Sequence, residues 1–217
     1  MSDSTSITLT KGANSCCGQP RWRMTLAVLL GIAVACGLVW FFFFQTYHLM
    51  TVREGVLYRD GNRGLREFRT SIRKVAPKTV VCLVEDVEVN DPALPMFKQE
   101  FAFLQEKGIR LVRIPVQNGN WPTRDDIEKF LSVTADPANQ PVLVHCAQGM
   151  HRTGIMVAAY ELRSMGYTQD QAVQAIQTGG PNKRPAVVAD LKQFIAQYDP
   201  LSGNIPPDHQ RMNKRDN

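Results

Sequence analysis

An uncharged apolar stretch near the N-terminal end sets the first limit on what this chain can fold into. Residues 24–44 read MTLAVLLGIAVACGLVWFFFF, which is 21 residues without a charge. A helix that crosses a membrane needs about 20 predominantly apolar residues. Trp22, Trp40 and Tyr47 lie near its ends, where membrane interfaces favour aromatic side chains. The sequence therefore predicts one transmembrane helix over residues 24–44.

Two other interpretations of this stretch are weaker. A cleaved signal peptide has a shorter apolar region, of about 7–15 residues. A helix in a soluble core normally has a polar face, which this stretch lacks. Residues 1–23 are polar and are expected to form a disordered tail. Three basic residues lie within about 20 residues of each end, so the side of the membrane that the main domain faces stays open.

Charge and cysteine content exclude several classes of protein. The net charge is +5, from 25 basic and 20 acidic residues, and the basic residues are not concentrated in one segment. Nucleic-acid binding usually shows as a concentrated basic face, so no nucleic-acid partner is expected. The five cysteines form no Cys-x-x-Cys pair, so neither a disulfide framework nor a metal site is expected.

The rest of the chain alternates between strand and helix patterns. The predicted strands are residues 56–59, 79–84, 109–116 and 141–144. The predicted helices are 62–75, 97–107, one that begins at Thr123, 153–165, 168–180 and 187–198. Such alternation predicts an α/β domain over residues 52–200, with a central, mostly parallel sheet flanked by helices. Residues 201–217 are expected to be a polar tail.

Residues 142–154, VLVHCAQGMHRTG, carry the chemistry. A buried strand leads to Cys146, and the loop that follows closes into a helix at Arg152. Backbone N–H groups of a tight loop at a helix N-terminus converge on an anion. Gly149 permits the sharp turn, and the planar fork of Arg152 can bind two phosphate oxygens. The pattern therefore predicts a phosphate-binding loop.

The same loop predicts a cysteine nucleophile. Its positive field favours the thiolate of Cys146, which can attack phosphorus and form a covalent phosphocysteine. Thr153 is expected to donate a hydrogen bond to the sulfur when it leaves, and His145 to order the loop from beneath. An inert buried cysteine is the alternative, but it explains neither the arginine nor the glycines. Substrate contacts are expected from Ala147, Gln148, Gly149, Met150, His151 and Gly154.

This loop resembles that of the cysteine-dependent protein tyrosine and dual-specificity phosphatase superfamily, in particular its atypical, bacterial-type dual-specificity members. The resemblance covers about residues 55–198, and VLYRDG at 56–61 is similar to the family's opening segment. It implies a phosphatase fold and no metal or other cofactor. It also implies a phosphorylated protein or a small phosphate ester as the substrate. Relatives that act on highly phosphorylated inositides often carry lysines in the loop, and this loop has none.

One feature departs from that family. In members of the family the general acid is an Asp on the loop that corresponds to the one after the third predicted strand. At that place this chain has Gln117 and Asn118. The candidate acids are Asp86, Asp125 and Asp126. The last two have a competing explanation, because acidic residues in the first turn of a helix stabilise its dipole.

The missing Asp keeps several readings open. The chain can be an active phosphatase, an inositol pyrophosphate or other small-molecule phosphatase, or a weakly active phosphate-binding module. A thiol redox or sulfur-transfer enzyme is a further class, which the Arg-Thr-Gly ending disfavours. A reversible disulfide between Cys82 and Cys146, which would protect the nucleophile from oxidation, is an additional hypothesis.

Overall fold

In the computed structural model, which describes residues 21–43, 45–179 and 184–204, the chain divides into two units between Phe42 and Phe43. The first unit is built around α1 (Arg21–Phe43). Its segment Trp22–Trp40 has a mean hydropathy of 2.0 and is long and apolar enough to cross a membrane. The predicted helix is therefore present, whereas the membrane span itself stays a prediction. Most of both predicted polar tails lies outside the described residues.

Strands and helices alternate through the second unit. They are β1 (Met50–Arg53), β2 (Leu57–Gly61), α2 (Leu65–Val75), β3 (Thr79–Cys82), α3 (Asp86–Asn90), α4 (Met96–Glu106), β4 (Arg110–Arg113), α5 (Arg124–Ala135), a 3-10 turn (Pro137–Asn139), β5 (Val142–Cys146), α6 (His151–Ser164), α7 (Gln169–Gly179) and α8 (Pro185–Gln197). Each predicted strand and helix has a counterpart here. The additional β1 and α3 are four and five residues long, too short to show a clear hydrophobic period.

The strands form one mixed sheet in the order β1-β2-β5-β3-β4. The pairs β2–β5, β5–β3 and β3–β4 are parallel, and β1 pairs with β2 in the antiparallel direction at one edge of the sheet. The predicted α/β class with a mostly parallel sheet is therefore confirmed. Because β5 is central, its carboxyl end is flanked by those of β2 and β3, with Gly61 opposite Cys146 and Cys82 opposite His145.

Successive residues of β5 point to opposite faces of the sheet. Val144 and Cys146 pack in the core shared with α5, α6, α7 and α8, and Leu143 packs in the core under α2 and α4. The His145 ring lies 5.4 Å from that of Phe68 on α2, on the second face. The strand therefore delivers Cys146 toward α6 and places His145 on the opposite side.

Candidate active site

The loop after β5 forms one wall of a cavity of about 400 Å³. The loop and the start of α6 contribute Cys146, Ala147, Gln148, Met150, His151 and Arg152 to its lining. The structure therefore brings together most of the residues predicted to contact substrate. Gly149 and Gly154 are not among the lining residues. Gly149 packs against the end of β2, and Gly154 lies against the Leu191 side chain on α8.

Cys146 lies in an environment that favours its thiolate. Its sulfur accepts the Gly149 N–H at 3.2 Å, and the residue is 3% exposed. Burial alone would raise the pKa of this thiol. The charge of Arg152 and the N–H groups of the loop outweigh burial and hold the pKa of Cys146 below its usual value. The buried Thr153 hydroxyl has no hydrogen-bond partner among the described residues. The thiolate is the nucleophilic form of cysteine, so this arrangement suits attack on an electrophile in the cavity.

Arg152 is fixed by a carboxylate that the sequence analysis did not identify. Glu88 on α3 accepts hydrogen bonds from Nη1 at 2.5 Å and from Nη2 at 3.1 Å, and Nη1 also donates to the Val116 carbonyl at 3.1 Å. These contacts use three of the five guanidinium N–H groups. Among the described residues, the Nε–H and the second Nη2–H have no partner. These two lie on one edge of the guanidinium and can bind two oxygens of one phosphate.

The back of the loop packs directly against the end of β2. Gly149 has φ +67°, and a Cβ added there would lie 2.4 Å from the Asp60 carbonyl oxygen. The Gly149 carbonyl accepts a hydrogen bond of 2.8 Å from Arg59. A Cβ on Gly61 would likewise lie 2.7 Å from the Gln148 backbone. Two glycines therefore allow the loop and the strand to touch, and Arg59 fastens the contact.

A buried polar network lies beneath the loop. His145 Nε2 is 2.8 Å from a Glu100 oxygen, and the second oxygen accepts a 2.5 Å hydrogen bond from Asn62. The Asn62 N–H donates to the Cys146 carbonyl at 3.1 Å. Burial would lower the pKa of His145, but the Glu100 carboxylate holds it well above its usual value. His145 is thus positioned beneath the loop, and its ordering role stays a prediction.

Cys82 belongs to this network and not to the cavity. Its sulfur lies within 4.8 Å of ligand atoms of Glu100 and His145, so this trio has the atom types to hold a metal ion. Glu100 is already engaged by two partners, and all three side chains are fully buried. Cys82 also packs in a different core cluster from Cys146. A disulfide between them would therefore require the backbone to move, and this arrangement gives the hypothesis no support.

The three candidate acids lie outside the cavity lining. Asp86 forms an ion pair of 2.9 Å with Arg113, and its side chain is 74% exposed. Asp126 completes a capping box with Thr123, and Asp125 is exposed in the first turn of α5. The competing dipole and capping explanation therefore fits both α5 residues. Their role as acids stays a prediction that their placement does not favour.

Of the residues that the structure describes, the carboxylates that line the cavity are Glu88 and Asp190. Asp190 on α8 accepts the Trp121 indole N–H at 2.9 Å, and the same oxygen lies 2.5 Å from Nε2 of His151. Neither carboxylate was found from the sequence. Asp190 follows Arg152 at a distance that forms no local motif, and Glu88 lies in a helix too short to predict.

Comparison with known proteins identifies the family. Residues 64–196, more than half of the chain, match the family model described as a DSP-PTPase phosphatase fused to NAD+ kinase. The chain belongs to this phosphatase family. The matched region contains β3, β4, β5 and the whole loop, and the resemblance seen in the sequence is confirmed.

Curated relatives share shorter stretches. Inositol diphosphatase DSP1 of Oryza sativa is 37% identical over 84 residues, which cover 37% of this chain and 34% of that protein. Dual specificity protein phosphatase TpbA of Pseudomonas aeruginosa is 25% identical over 109 residues, which cover 50% of this chain and 44% of that protein. The chain therefore spans less than half the length of these relatives.

A solved structure supports the fold. The core catalytic domain of the PP-IP phosphatase SIW14 from Saccharomyces cerevisiae superimposes with a TM-score of 0.57 at 22% identity. The match covers 71% of this chain and 87% of that one. At this sequence identity the similarity shows a shared fold and nothing about activity.

Proposed function

We propose that this chain hydrolyses phosphate monoesters through a phosphocysteine formed on Cys146. One observation carries the proposal: a thiol of lowered pKa shares a cavity with Arg152, which keeps two N–H groups for a phosphate. The thiolate attacks phosphorus, so that an S–P bond forms while the ester P–O bond breaks, and the leaving oxygen takes a proton from water. Water then attacks phosphorus, the S–P bond breaks, and inorganic phosphate leaves.

The surrounding residues have separate roles in this proposal. Arg152 and the N–H groups at the start of α6 bind the phosphoryl oxygens, whose charge spreads in the transition state. Thr153 follows Arg152 in sequence and is fully buried, and its hydroxyl stabilises the Cys146 thiolate when the S–P bond breaks. Glu88 holds the guanidinium at the correct angle, and His145 with Glu100 fixes the end of β5.

The decisive measurement compares the full chain with its Cys146→Ser variant in detergent micelles. Phosphate release from 4-nitrophenyl phosphate should fall to background in the variant, while Cys36→Ser, a cysteine of α1, should keep its rate. Rapid acid quenching should trap a phosphoryl group on Cys146 in the wild type. Tight phosphate binding without turnover in the wild type would instead identify a phosphate-binding module.

Protein phosphotyrosine is the substrate class that we favour. The loop contributes uncharged side chains to the cavity at Ala147, Gln148 and Met150. Elsewhere in the lining, Arg184 and Asp190 carry opposite formal charges, so together they add no net positive charge for a polyphosphate. An aryl phosphate brings one phosphoryl group and a ring for the apolar part of the lining.

Inositol pyrophosphate is a second candidate. DSP1 and SIW14 bear names that assign them this chemistry. A diphosphate leaving group also needs little acid catalysis, and residues 115–122 carry no acidic residue. Turnover of a phosphotyrosine peptide and of an inositol pyrophosphate at equal concentration separates the two classes. A higher kcat/KM for the pyrophosphate would replace our first choice.

We also propose that residues 24–44 anchor the chain in a membrane as a single-pass protein. The support is the length and composition of α1. The expressed chain should stay with membranes through an alkaline carbonate wash, and its mass should include α1. Cleavage after this stretch would identify a signal sequence instead.

A further inference from the structure

The segment between α1 and β1 contacts the backbone of the phosphate-binding loop. This segment, residues 45–49, belongs to the second unit of the chain. Within it, His48 places its Nδ1 atom 2.8 Å from the carbonyl oxygen of Gln148. A carbonyl oxygen can only accept a hydrogen bond, so Nδ1 carries the hydrogen and donates it. A side chain that is 100 residues away in sequence therefore binds the loop directly.

The carbonyl group that His48 binds belongs to the peptide unit that contacts the nucleophile. The peptide bond between Gln148 and Gly149 carries this carbonyl on one side and the Gly149 N–H on the other, and the unit is planar. The same N–H donates to the Cys146 sulfur at 3.2 Å. A chain of hydrogen bonds therefore runs from His48 through a single peptide unit to the sulfur. Hydrogen bonds in such a chain polarise and strengthen one another.

Neighbouring residues hold His48 beside the loop. Its ring stacks on that of Tyr47, with centroids 4.1 Å apart, and the Tyr47 carbonyl accepts the Gly61 N–H at 3.0 Å. A Cβ on Gly61 would lie 2.7 Å from the Gln148 backbone and 2.8 Å from the Tyr47 ring. The segment, the end of β2 and the loop therefore meet at one glycine, which leaves room for all three.

The backbone of His48 adopts an uncommon conformation. Its φ of 65° lies in the left-handed region, which residues other than glycine seldom occupy. Asn, Asp and His are the non-glycine residues found there most often. Residues held in such conformations persist where their surroundings fix them, and they cluster at functional sites. Both the backbone and the side chain of His48 are thus fixed in one position next to the loop.

We propose that His48 is a positioning residue for the nucleophile and acts on it through the Gln148–Gly149 peptide unit. This inference rests on the proposed phosphatase function, in which the Cys146 thiolate attacks phosphorus. Because His48 binds the carbonyl, the N–H on the opposite side of the peptide stays directed at the sulfur and stabilises the thiolate. The segment that follows α1 thus helps to set the reactivity of the nucleophile. The competing explanation is a contact that only packs this segment on the domain.

The test measures alkylation of Cys146 by iodoacetamide as a function of pH, on the full chain in detergent micelles. Peptide mass spectrometry separates Cys146 from the other cysteines. His48→Gly accepts the backbone conformation but removes the donor, so the alkylation midpoint should move to higher pH. In His48→Asn the ring is also lost, but the side-chain amide can donate in place of Nδ1, and Asn tolerates a positive φ. This variant should keep a midpoint close to that of the wild type.

Turnover should follow the same order. In His48→Gly, kcat/KM for 4-nitrophenyl phosphate should fall by roughly 3–10-fold, the range that one hydrogen bond typically represents. In His48→Asn it should fall much less. Ala76→Gly is a matched control, because Ala76 also has a positive φ, of 47°, and is not among the residues that line the cavity. It should change neither the midpoint nor the rate.

The outcomes separate the hydrogen bond from packing and from folding. Cys82 is fully buried, so its protection from alkylation in the same samples shows that each variant is folded. A wild-type midpoint in folded His48→Gly would overturn the proposal and leave a packing contact. An equal shift in His48→Gly and His48→Asn would also overturn it, because the ring would then matter and the donor would not. Alkylation needs no turnover, so Cys146→Ser tests the phosphatase function separately.

Discussion

The two sides of the phosphate-binding loop differ in how the sequence encodes them. The side toward the cavity is formed by residues that follow one another, from Cys146 to Arg152. The side toward the core is completed by Arg59, Asp60 and Gly61, which are distant in sequence and arrive through the parallel register of β2 and β5. The first side carries the reactive groups, and the second fixes the shape in which they act. Changes on the first should therefore affect catalysis most, and changes on the second should appear mainly in stability.

The largest effect is expected from Arg152→Lys, on the cavity side. Lysine keeps the charge but cannot bind Glu88 and two phosphate oxygens at once, because it lacks the planar fork. We expect kcat to fall by roughly 10²–10³-fold or more.

Loss of the Arg152 charge should also change the pKa of the Cys146 thiol, which thiol alkylation as a function of pH measures. Because Arg152 is the main group that lowers the Cys146 pKa, replacement by Gln should move the alkylation midpoint to higher pH. A midpoint that does not move would show that the loop N–H groups alone hold the thiolate.

Gly149→Ala tests the contact between the two sides. An added Cβ meets the Asp60 carbonyl oxygen at 2.4 Å, and φ of +67° strains any residue other than glycine. Gly108→Ala is a matched control, because φ is +66° there and its Cβ would have nothing within 4 Å. We expect Gly149→Ala to lower the free energy of unfolding by about 1–3 kcal/mol more than the control does. Equal losses in denaturant unfolding would mean that the strand and the loop move apart easily.

The order of helices and strands was predictable from the sequence because it rests on local patterns. The run from Val142 to Val144 shows a strand, and Gly166 marks the end of a helix near Ser164. The loop was predictable for the same reason, because its cysteine, glycine and arginine all lie within residues 146–152. The short helix that carries Glu88 had no such pattern.

The rest of the site depends on tertiary neighbours. Glu88 meets Arg152 only because α3 follows β3 at the same sheet edge as the loop, and Asp190 meets His151 only because α8 packs on α6. Asp126 shows the converse. It is acidic and close in sequence to the loop expected to carry the acid, yet it caps its own helix. Which carboxylates line the cavity therefore depends on the packing of the helices and not on local sequence.

The effect most specific to the core side is a dependence of stability on pH, which is expected from Asp60. Burial raises the pKa of its carboxyl from 3.8 to about 7, and neither carboxyl oxygen has a hydrogen-bond partner among the described residues. Below the unfolded pKa both states are protonated, and this group costs no stability. Between the unfolded pKa and about 7, the unfolded chain is ionised while the folded protein still holds its proton. The free energy of unfolding therefore falls as the pH rises through this range, and the full loss remains above it.

Asp60→Asn removes this titration. Between about pH 5 and about pH 8, the variant should therefore gain on the order of 1–3 kcal/mol of unfolding free energy relative to the wild type.

Glu106→Gln, which removes an exposed carboxylate on α4, should follow the wild-type pH dependence. If Asp60→Asn follows it too, then Asp60 ionises freely in the folded protein and the back of the loop is open to water. The core side would then differ from the cavity side much less than the packing at Gly149 indicates.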